Sequence, residues 1–406
     1  MLIYYRLVMY KSVKRLFYIV IFVTLLITCL GISIQHAPQF VKLIYSGSLW
    51  LSLLMIPKSL FRFHYFNKFT VRLFSVYALL VFGTIIHTVF LGTNAIVGNK
   101  WITMFGNDEC LLMLLTPFLA YISTSDYVLS IIQRTNITYM SLCVILFVLL
   151  TNGNASALWY ICCFYPFYSK CSKLLVYLTF LIAISIGFFA EETSRTLVII
   201  AILAMLSYVL VYKIRSKILV RLACVALIAL PFIYALPMLI DPNFSIIKVI
   251  QQMILDETGN SQLAADTRSF LFWELASDLN ANDAWLFGKG AFSYYYSTWF
   301  DNGDLGAGMR ITSEVTLLTL LLRGGIALVV SYYSILIYSV YRALKLGKNK
   351  FVLSAAVMIS GWIFISSFSY VNGFKFYHLC FFVLVGCCLS NKWLNYNDED
   401  IKRILK

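Results

Sequence analysis

Apolar runs of about 15–25 residues recur along almost the whole chain, and this recurrence constrains the fold more than any single motif. In lipid a backbone must satisfy its own hydrogen bonds, so each run reads as a helix. The runs are continuous and do not alternate at every second residue, which argues against a β-barrel. Twelve candidate spans follow: 16–34, 42–57, 73–92, 107–123, 137–151, 155–169, 173–190, 195–212, 218–240, 314–341, 352–370 and 374–390. The expected fold is an all-α polytopic membrane protein of about 12 transmembrane helices, with residues 1–406 as a single membrane domain. Charged residues make up 12% of the chain and mean hydropathy is +0.83. A soluble domain carries roughly 25% charged residues, so a water-soluble globule is excluded.

The net charge of +14 does not point to nucleic acid, because the cations stand in short clusters between apolar runs. If the N-terminus lies in the cytoplasm, the connecting segments alternate sides. One side then holds 23 of the 32 basic residues, in clusters such as Lys58/Arg62/Lys68/Arg72, Lys213/Arg215/Lys217/Arg221 and Arg342/Lys345/Lys348/Lys350. The other side holds eight, and Arg323 falls inside a span. The positive-inside rule therefore predicts that both termini are cytoplasmic. The first run follows Lys11, Lys14 and Arg15 and has no clear small-residue cleavage site, so it reads as a retained helix.

This orientation turns Asp241–Ser313, between the ninth and tenth spans, into one large outward loop with short helices. It carries nine of the 18 acidic residues, with Glu314 immediately after it, and also Lys248, Arg268, Lys289 and Arg310. A chain that gathers its polar residues there has its chemistry there. The ten cysteines lie in apolar runs or at their edges, and none is in this loop, which leaves no disulfide framework or Cys/His metal spacing. The four histidines are scattered, and no metal or cofactor is expected.

Within and beside the loop, six groups of residues can do chemistry. Arg195 follows Glu191-Glu192-Thr193-Ser194 at the outer start of a span, where a cation opposes the helix dipole; it either snorkels or binds an anion. Asp266-Thr267-Arg268 caps an amphipathic stretch in which Phe272, Trp273, Ala276 and Leu279 share a face, and Arg268 could fork onto a phosphate. Gly288-Lys289-Gly290 permits a tight turn close to a ligand but lacks P-loop spacing. Tyr294-Tyr295-Tyr296 is either an interfacial belt or a sugar-stacking platform. Arg310-Ile-Thr-Ser-Glu314 opens the tenth span, with Thr312 or Ser313 as cap and Glu314 in the first turn. Deeper in that span, Arg323 beside Gly324-Gly325 needs a partner; an internal ion pair with a carboxylate is the plain reading.

Taken together, Ser194-Arg195-Thr196, Arg268-x4-Trp273 with Phe287-Gly288-Lys289-Gly290, and Ser313-Glu314-x8-Arg323-Gly324-Gly325 resemble the O-antigen polymerase and ligase superfamily of bacterial inner-membrane proteins. The resemblance covers roughly residues 185–330. It implies a glycosyltransferase whose donor is a polyprenyl-pyrophosphate-linked oligosaccharide and whose acceptor is a sugar hydroxyl on another lipid-linked unit. It also implies a chain-length regulator and a flippase as partners, alongside the lipid bilayer and without nucleic acid. Release of polyprenyl pyrophosphate calls for cations and positioning. Arg195, Arg268, Arg310 and Lys289 are the expected anion-binding residues, with Tyr295 toward the glycan. Glu314 is the first choice of base and Asp266 the second. Ligases of this superfamily usually carry a histidine near the start of the span after the loop; Arg310–Val315 has none, which favours polymerase. A flippase is the alternative of another class. It would place charges along a central cavity, whereas ionisable residues inside these spans are scarce.

Overall fold

The structure, a computed structural model, describes residues 47, 50, 65–90, 104–106, 109–124, 126, 129, 195–240, 269–298, 308–369 and 376–404. Seven of the twelve predicted spans fall on these residues. They appear as helices α1 (Lys68–Phe90), α2 (Leu111–Leu115, continued as a 3-10 helix Thr116–Thr124), α3 (Arg195–Tyr208, continued as a π-helix Val209–Ile214) and α4 (Lys217–Ile240), followed by α6 (Thr316–Leu346), α7 (Lys350–Ser366) and α8 (Phe376–Leu389). Between α4 and α6 lie α5 (Ser269–Ala281) and a two-residue antiparallel strand pair, β1 (Tyr295–Tyr296) with β2 (Met309–Arg310). Two short helices, α9 (Asn391–Asn395) and α10 (Asp398–Ile404), close the chain. The described residues are mostly helical, and α1, α4 and α6 are long and apolar enough to cross a membrane. The predicted spans 16–34, 137–151, 155–169 and 173–190, and nearly all of 42–57, lie outside the described residues.

The helices assemble with their basic ends together. Phe66 bridges Ser390, Arg221 Nη2 donates to the Leu344 carbonyl at 3.5 Å, and Lys348 N donates to the Leu394 carbonyl at 3.2 Å. Asn349 caps α7 by accepting from Val352 N at 2.9 Å, and its amide donates to the carbonyls of Trp393 and Tyr396. Lys68, Lys217, Arg342, Lys350 and Lys392 therefore lie near one end of the bundle. At the other end, Thr316 N donates to the Ser369 carbonyl at 3.2 Å. There α5 and β1 pack over Ala235 and Met238 of α4 and Val315, Leu318, Leu321 and Leu322 of α6.

The face that α5 buries differs from expectation. Leu271, Phe272, Leu275 and Leu279 turn inward at helical spacing, and each fully buried side chain of this size contributes roughly 2 kcal/mol. Trp273 is half exposed and lies off that face. Past Ala281 the chain stops being helical because Asp283 adopts a left-handed conformation (φ 49°). Ala284 N then returns to the Leu279 carbonyl at 2.9 Å, the pattern that closes helix ends around a left-handed residue.

Helix α6 is not one continuous helix. Gly325 has φ 62° and ψ −164°, a conformation accessible essentially to glycine alone, and it divides α6 into an N-terminal half of about two and a half turns and a longer C-terminal half. A break at this depth frees carbonyls on one side and amides on the other, and in an apolar setting each would cost several kcal/mol if unpaired. The segment Trp285–Ala291 supplies the missing partners. Lys289 N and Gly290 N donate to the carbonyls of Leu322 and Arg323 at 2.7 and 3.0 Å, while Ile326 N and Ala327 N donate to the carbonyls of Trp285 and Leu286 at 2.8 and 3.2 Å. Ala291 N continues the docking onto α1 through the Thr84 carbonyl, and Phe292 N onto Thr88 Oγ1. The segment thus enters the helical layer as a wedge.

Candidate functional site

The wedge explains its glycines. A Cβ on Gly288 would lie 2.5 Å from Gly324 N, one on Gly290 2.5 Å from Thr88 Oγ1, and one on Gly325 2.4 Å from the Leu286 carbonyl carbon. Gly288-Lys289-Gly290 was expected to bring backbone close to a ligand; the backbone it approaches is that of α6 and α1. Lys289 is correspondingly engaged within the protein. Its ammonium pairs with Asp278 at 2.8 Å, donates to the Tyr294 carbonyl at 2.8 Å and sits over the Tyr294 ring. The structure therefore gives Lys289 a role in holding the wedge to α5.

Arg323 lies beneath the strand pair and is fully buried. Among the described residues its partners are backbone carbonyls and not the carboxylate foreseen from sequence. Nη1 donates to the Ser293 carbonyl at 2.8 Å, and Nη2 donates to the Ile311 carbonyl at 2.8 Å and contacts Cys110 Sγ at 3.6 Å. The guanidinium replaces water for two carbonyls that no strand or helix satisfies. The carbonyls in turn give a buried cation the polar surroundings it requires.

Above Arg323, the two strands bring together residues that the sequence keeps 15 positions apart. Tyr295 pairs with Arg310, and Tyr296 with Met309. Arg310 Nη2 lies 3.6 Å from Glu314 Oε1, with the arginine mostly covered and the glutamate 42% exposed. Glu314 precedes α6 and does not sit in its first turn; the N-cap is Val315, which makes no side-chain cap. Ser313 and Thr319 bridge the gap, since Ser313 N donates to Thr319 Oγ1 at 3.2 Å and Thr319 Oγ1 donates back to the Ser313 carbonyl. The Glu314 carboxylate lies partly exposed beside the Arg310 cation.

Two carboxylates that sequence reasoning left unassigned complete the cluster. Glu274 of α5 is 5% exposed and accepts from Thr298 N and Oγ1 at 2.7 and 2.9 Å through Oε1. Its Oε2 is buried without a hydrogen-bond partner among the described residues. Glu109, just before α2, accepts from Thr312 Oγ1 at 3.1 Å. Glu274 carried a signal, being an acid among the apolar positions of an amphipathic helix. Glu109 carried none, because it falls inside a predicted span 200 residues away.

Tyr295 was expected to face the glycan, but its ring is completely buried among Leu271, Leu275 and Leu318. Burial pushes its hydroxyl up to about 12, offset by the nearby Arg310 cation and Ser313, while the carboxylates of Glu274 and Glu314 add to the rise. The exposed ring in this strand is that of Tyr296, packed edge-on against Tyr294 at 5.7 Å. Arg195 opens α3, and its side chain lies outside the described residues, as do Asp266 and Arg268 entirely. Among the described residues no three His, Cys, Asp or Glu side chains converge to hold a metal. Among the described residues the site is thus a polar cluster of the Arg310 cation, the carboxylates of Glu314, Glu274 and Glu109 and the exposed Tyr296 ring, with Arg323 buried beneath, at the end of the bundle away from the basic residues. Such a set can bind an anion at Arg310, orient hydroxyls and accept a proton at Glu314. Comparison with family models, curated proteins and solved structures finds no match for this chain.

Proposed function

We propose that this membrane protein polymerises oligosaccharide repeat units carried on polyprenyl pyrophosphate. The growing glycan is transferred to a sugar hydroxyl of the next lipid-linked unit. The observation that carries the reading is the Arg310–Glu314 pair, a part-buried cation beside a part-exposed carboxylate at the lip of the outer segment. In the reaction the acceptor hydroxyl attacks the anomeric carbon, the bond to the pyrophosphate oxygen breaks, and the electron pair leaves with polyprenyl pyrophosphate. Arg310 stabilises the charge on the departing pyrophosphate, and Glu314 takes the proton of the acceptor hydroxyl. Arg195 and Arg268 are assigned to the same anion, and Asp266 remains the second candidate for the base. Tyr296 supplies the ring face against which a sugar packs.

The reading places the chain in a bacterial inner membrane with about twelve spans, both termini in the cytoplasm and residues 241–313 on the periplasmic side. The gathering of Lys68, Lys217, Arg342, Lys350 and Lys392 near one end of the bundle supports that orientation, because cytoplasmic ends concentrate lysine and arginine. The filled break in α6 supports a transferase over a flippase. Half-helix ends that bind a transported substrate must be open to it, whereas these are satisfied by Trp285, Leu286, Lys289 and Gly290. Deleting the gene and resolving the surface glycan on a gel tests the reading. A single-repeat product in place of a ladder is expected. Complete polymers held on the lipid carrier would indicate a ligase, and repeat units confined to the cytoplasmic leaflet a flippase.

A further inference from the structure

We infer that Arg323 is a positioning residue for the proposed site: it sets the register and depth of the strand pair that carries Arg310, acting from within the helical layer. The inference rests on the polymerase reading only for its consequence in activity; the geometry is independent of it. Arg323 donates from its two terminal nitrogens to two different chain segments. One bond goes to the Ser293 carbonyl, two residues before Tyr295, and the other to the Ile311 carbonyl, one residue after Arg310, both at 2.8 Å. Tyr295 and Arg310 are themselves register partners. The guanidinium therefore closes a ring through both strands, and its planar fork fixes the spacing of the two carbonyls in a way that a point-charge ammonium does not.

The strand pair does not hold its own place: Tyr295 anchors it in the apolar floor, Thr298 is tied to Glu274, and Arg323 bonds to both segments from below. Each strand is two residues long, and an isolated pair of that length is not stable. From below, Arg323 is itself held in place: the carbonyl of its own residue accepts from Gly290 N, so the wedge, the break in α6 and the strand pair converge on one residue. A lysine could reach one carbonyl and leave the other buried without a donor. A glutamine would keep some hydrogen-bonding capacity and lose the charge.

Disulfide formation between Tyr296→Cys and Met309→Cys, which replace a second pair of register partners, reads the strand geometry directly. The experiment uses the full chain in membranes, with the cross-linked peptides identified by mass spectrometry. With Arg323 present, cross-linking under mild oxidant is expected to be rapid. Arg323→Lys and Arg323→Gln should slow it by about tenfold or more, as expected when a buried carbonyl loses its donor. In the otherwise native chain, Arg323→Lys and Arg323→Gln should also shorten the glycan ladder; the cysteine pair is read by its cross-linking alone, because Tyr296 is assigned to the sugar. Unchanged cross-linking in both variants would overturn the inference, whether or not the ladder changed. If neither variant accumulates even with the strands tethered, Arg323 is required for folding at large and the inference also fails. Were the ladder insensitive to Arg310→Ala, the polymerase reading would fall, yet the cross-linking result would still decide the role of Arg323.

Discussion

Gly288 and Gly324 meet backbone to backbone: a Cβ on Gly288 would stand 2.5 Å from the amide nitrogen of Gly324 and 2.6 Å from the Arg323 carbonyl carbon. The contact couples the Trp285–Ala291 wedge to the break in α6, and through that break to Arg323 and the strand pair. Gly288 also has φ 67°, which a side chain disfavours before any clash is counted. Gly288→Ala should therefore destabilise the protein by about 2 kcal/mol or more, combining backbone strain with overpacking. Thermal unfolding of the detergent-solubilised chain is the measurement. Gly83→Ala provides the control, since nothing lies within 4 Å of a Cβ there.

Arg310→Ala should reduce polymer formation by roughly a hundredfold, the loss typical of removing one preorganised electrostatic contact to a transition state. Membrane levels of the variant, measured alongside, separate loss of activity from loss of folding, because the side chain is mostly covered. Glu314→Gln should also lower turnover while leaving donor binding intact. A variant chain that accumulates normally and still makes a full ladder would remove the residue from the mechanism.

Lys289 and Asp278 should behave as a structural pair. Each single substitution, Lys289→Ala or Asp278→Asn, is expected to lower stability, and the double variant to lose less than the sum. The coupling should be about 1 kcal/mol, the low end for residues in direct contact. Urea or thermal unfolding of the four proteins gives the cycle. An additive result, or loss of glycan transfer in Lys289→Ala at normal stability, would return Lys289 to the substrate.

Tyr295 makes the stability sensitive to alkali. Its hydroxyl, ordinarily near 10, is pushed up to about 12 by burial, so the folded state holds the proton more tightly than the unfolded chain. The stabilisation is fully present below pH 10 and is lost as pH rises toward 12. Tyr295→Phe should flatten the fall in melting temperature between pH 9 and 11 relative to the parent. Equal slopes would show that the hydroxyl is not buried as described.

Helical class and membrane insertion were legible in the sequence because the apolar runs have the length of a bilayer and nothing else explains them. The ends of α4 and α7 fall within a few residues of their runs for the same reason. The break in α6 was hidden because the apolar run continues through Gly324-Gly325. What marks it is a partner segment 35 residues upstream, Trp285–Gly290, and hydropathy carries no information about pairing between segments. The same limit applies to Arg323. The sequence showed that a buried cation needs partners, but backbone carbonyls leave no signature, whereas a carboxylate would have. Arg310 and Glu314 were legible as neighbours at the start of a span, each with its own role, but not as an ion pair; Glu274 and Glu109 reach the same cluster only through the fold. Tyr295 and Tyr296 are adjacent in sequence, and strand alternation decides which of them is buried.

The most direct test is reconstitution of the purified chain in lipid nanodiscs with polyprenyl-pyrophosphate-linked repeat units as the sole substrate. The account predicts a ladder of lipid-linked glycans with one polyprenyl pyrophosphate released for each linkage formed, and no ladder with Arg310→Ala. Repeat units that remain single, in a preparation that is folded and binds them, would contradict it.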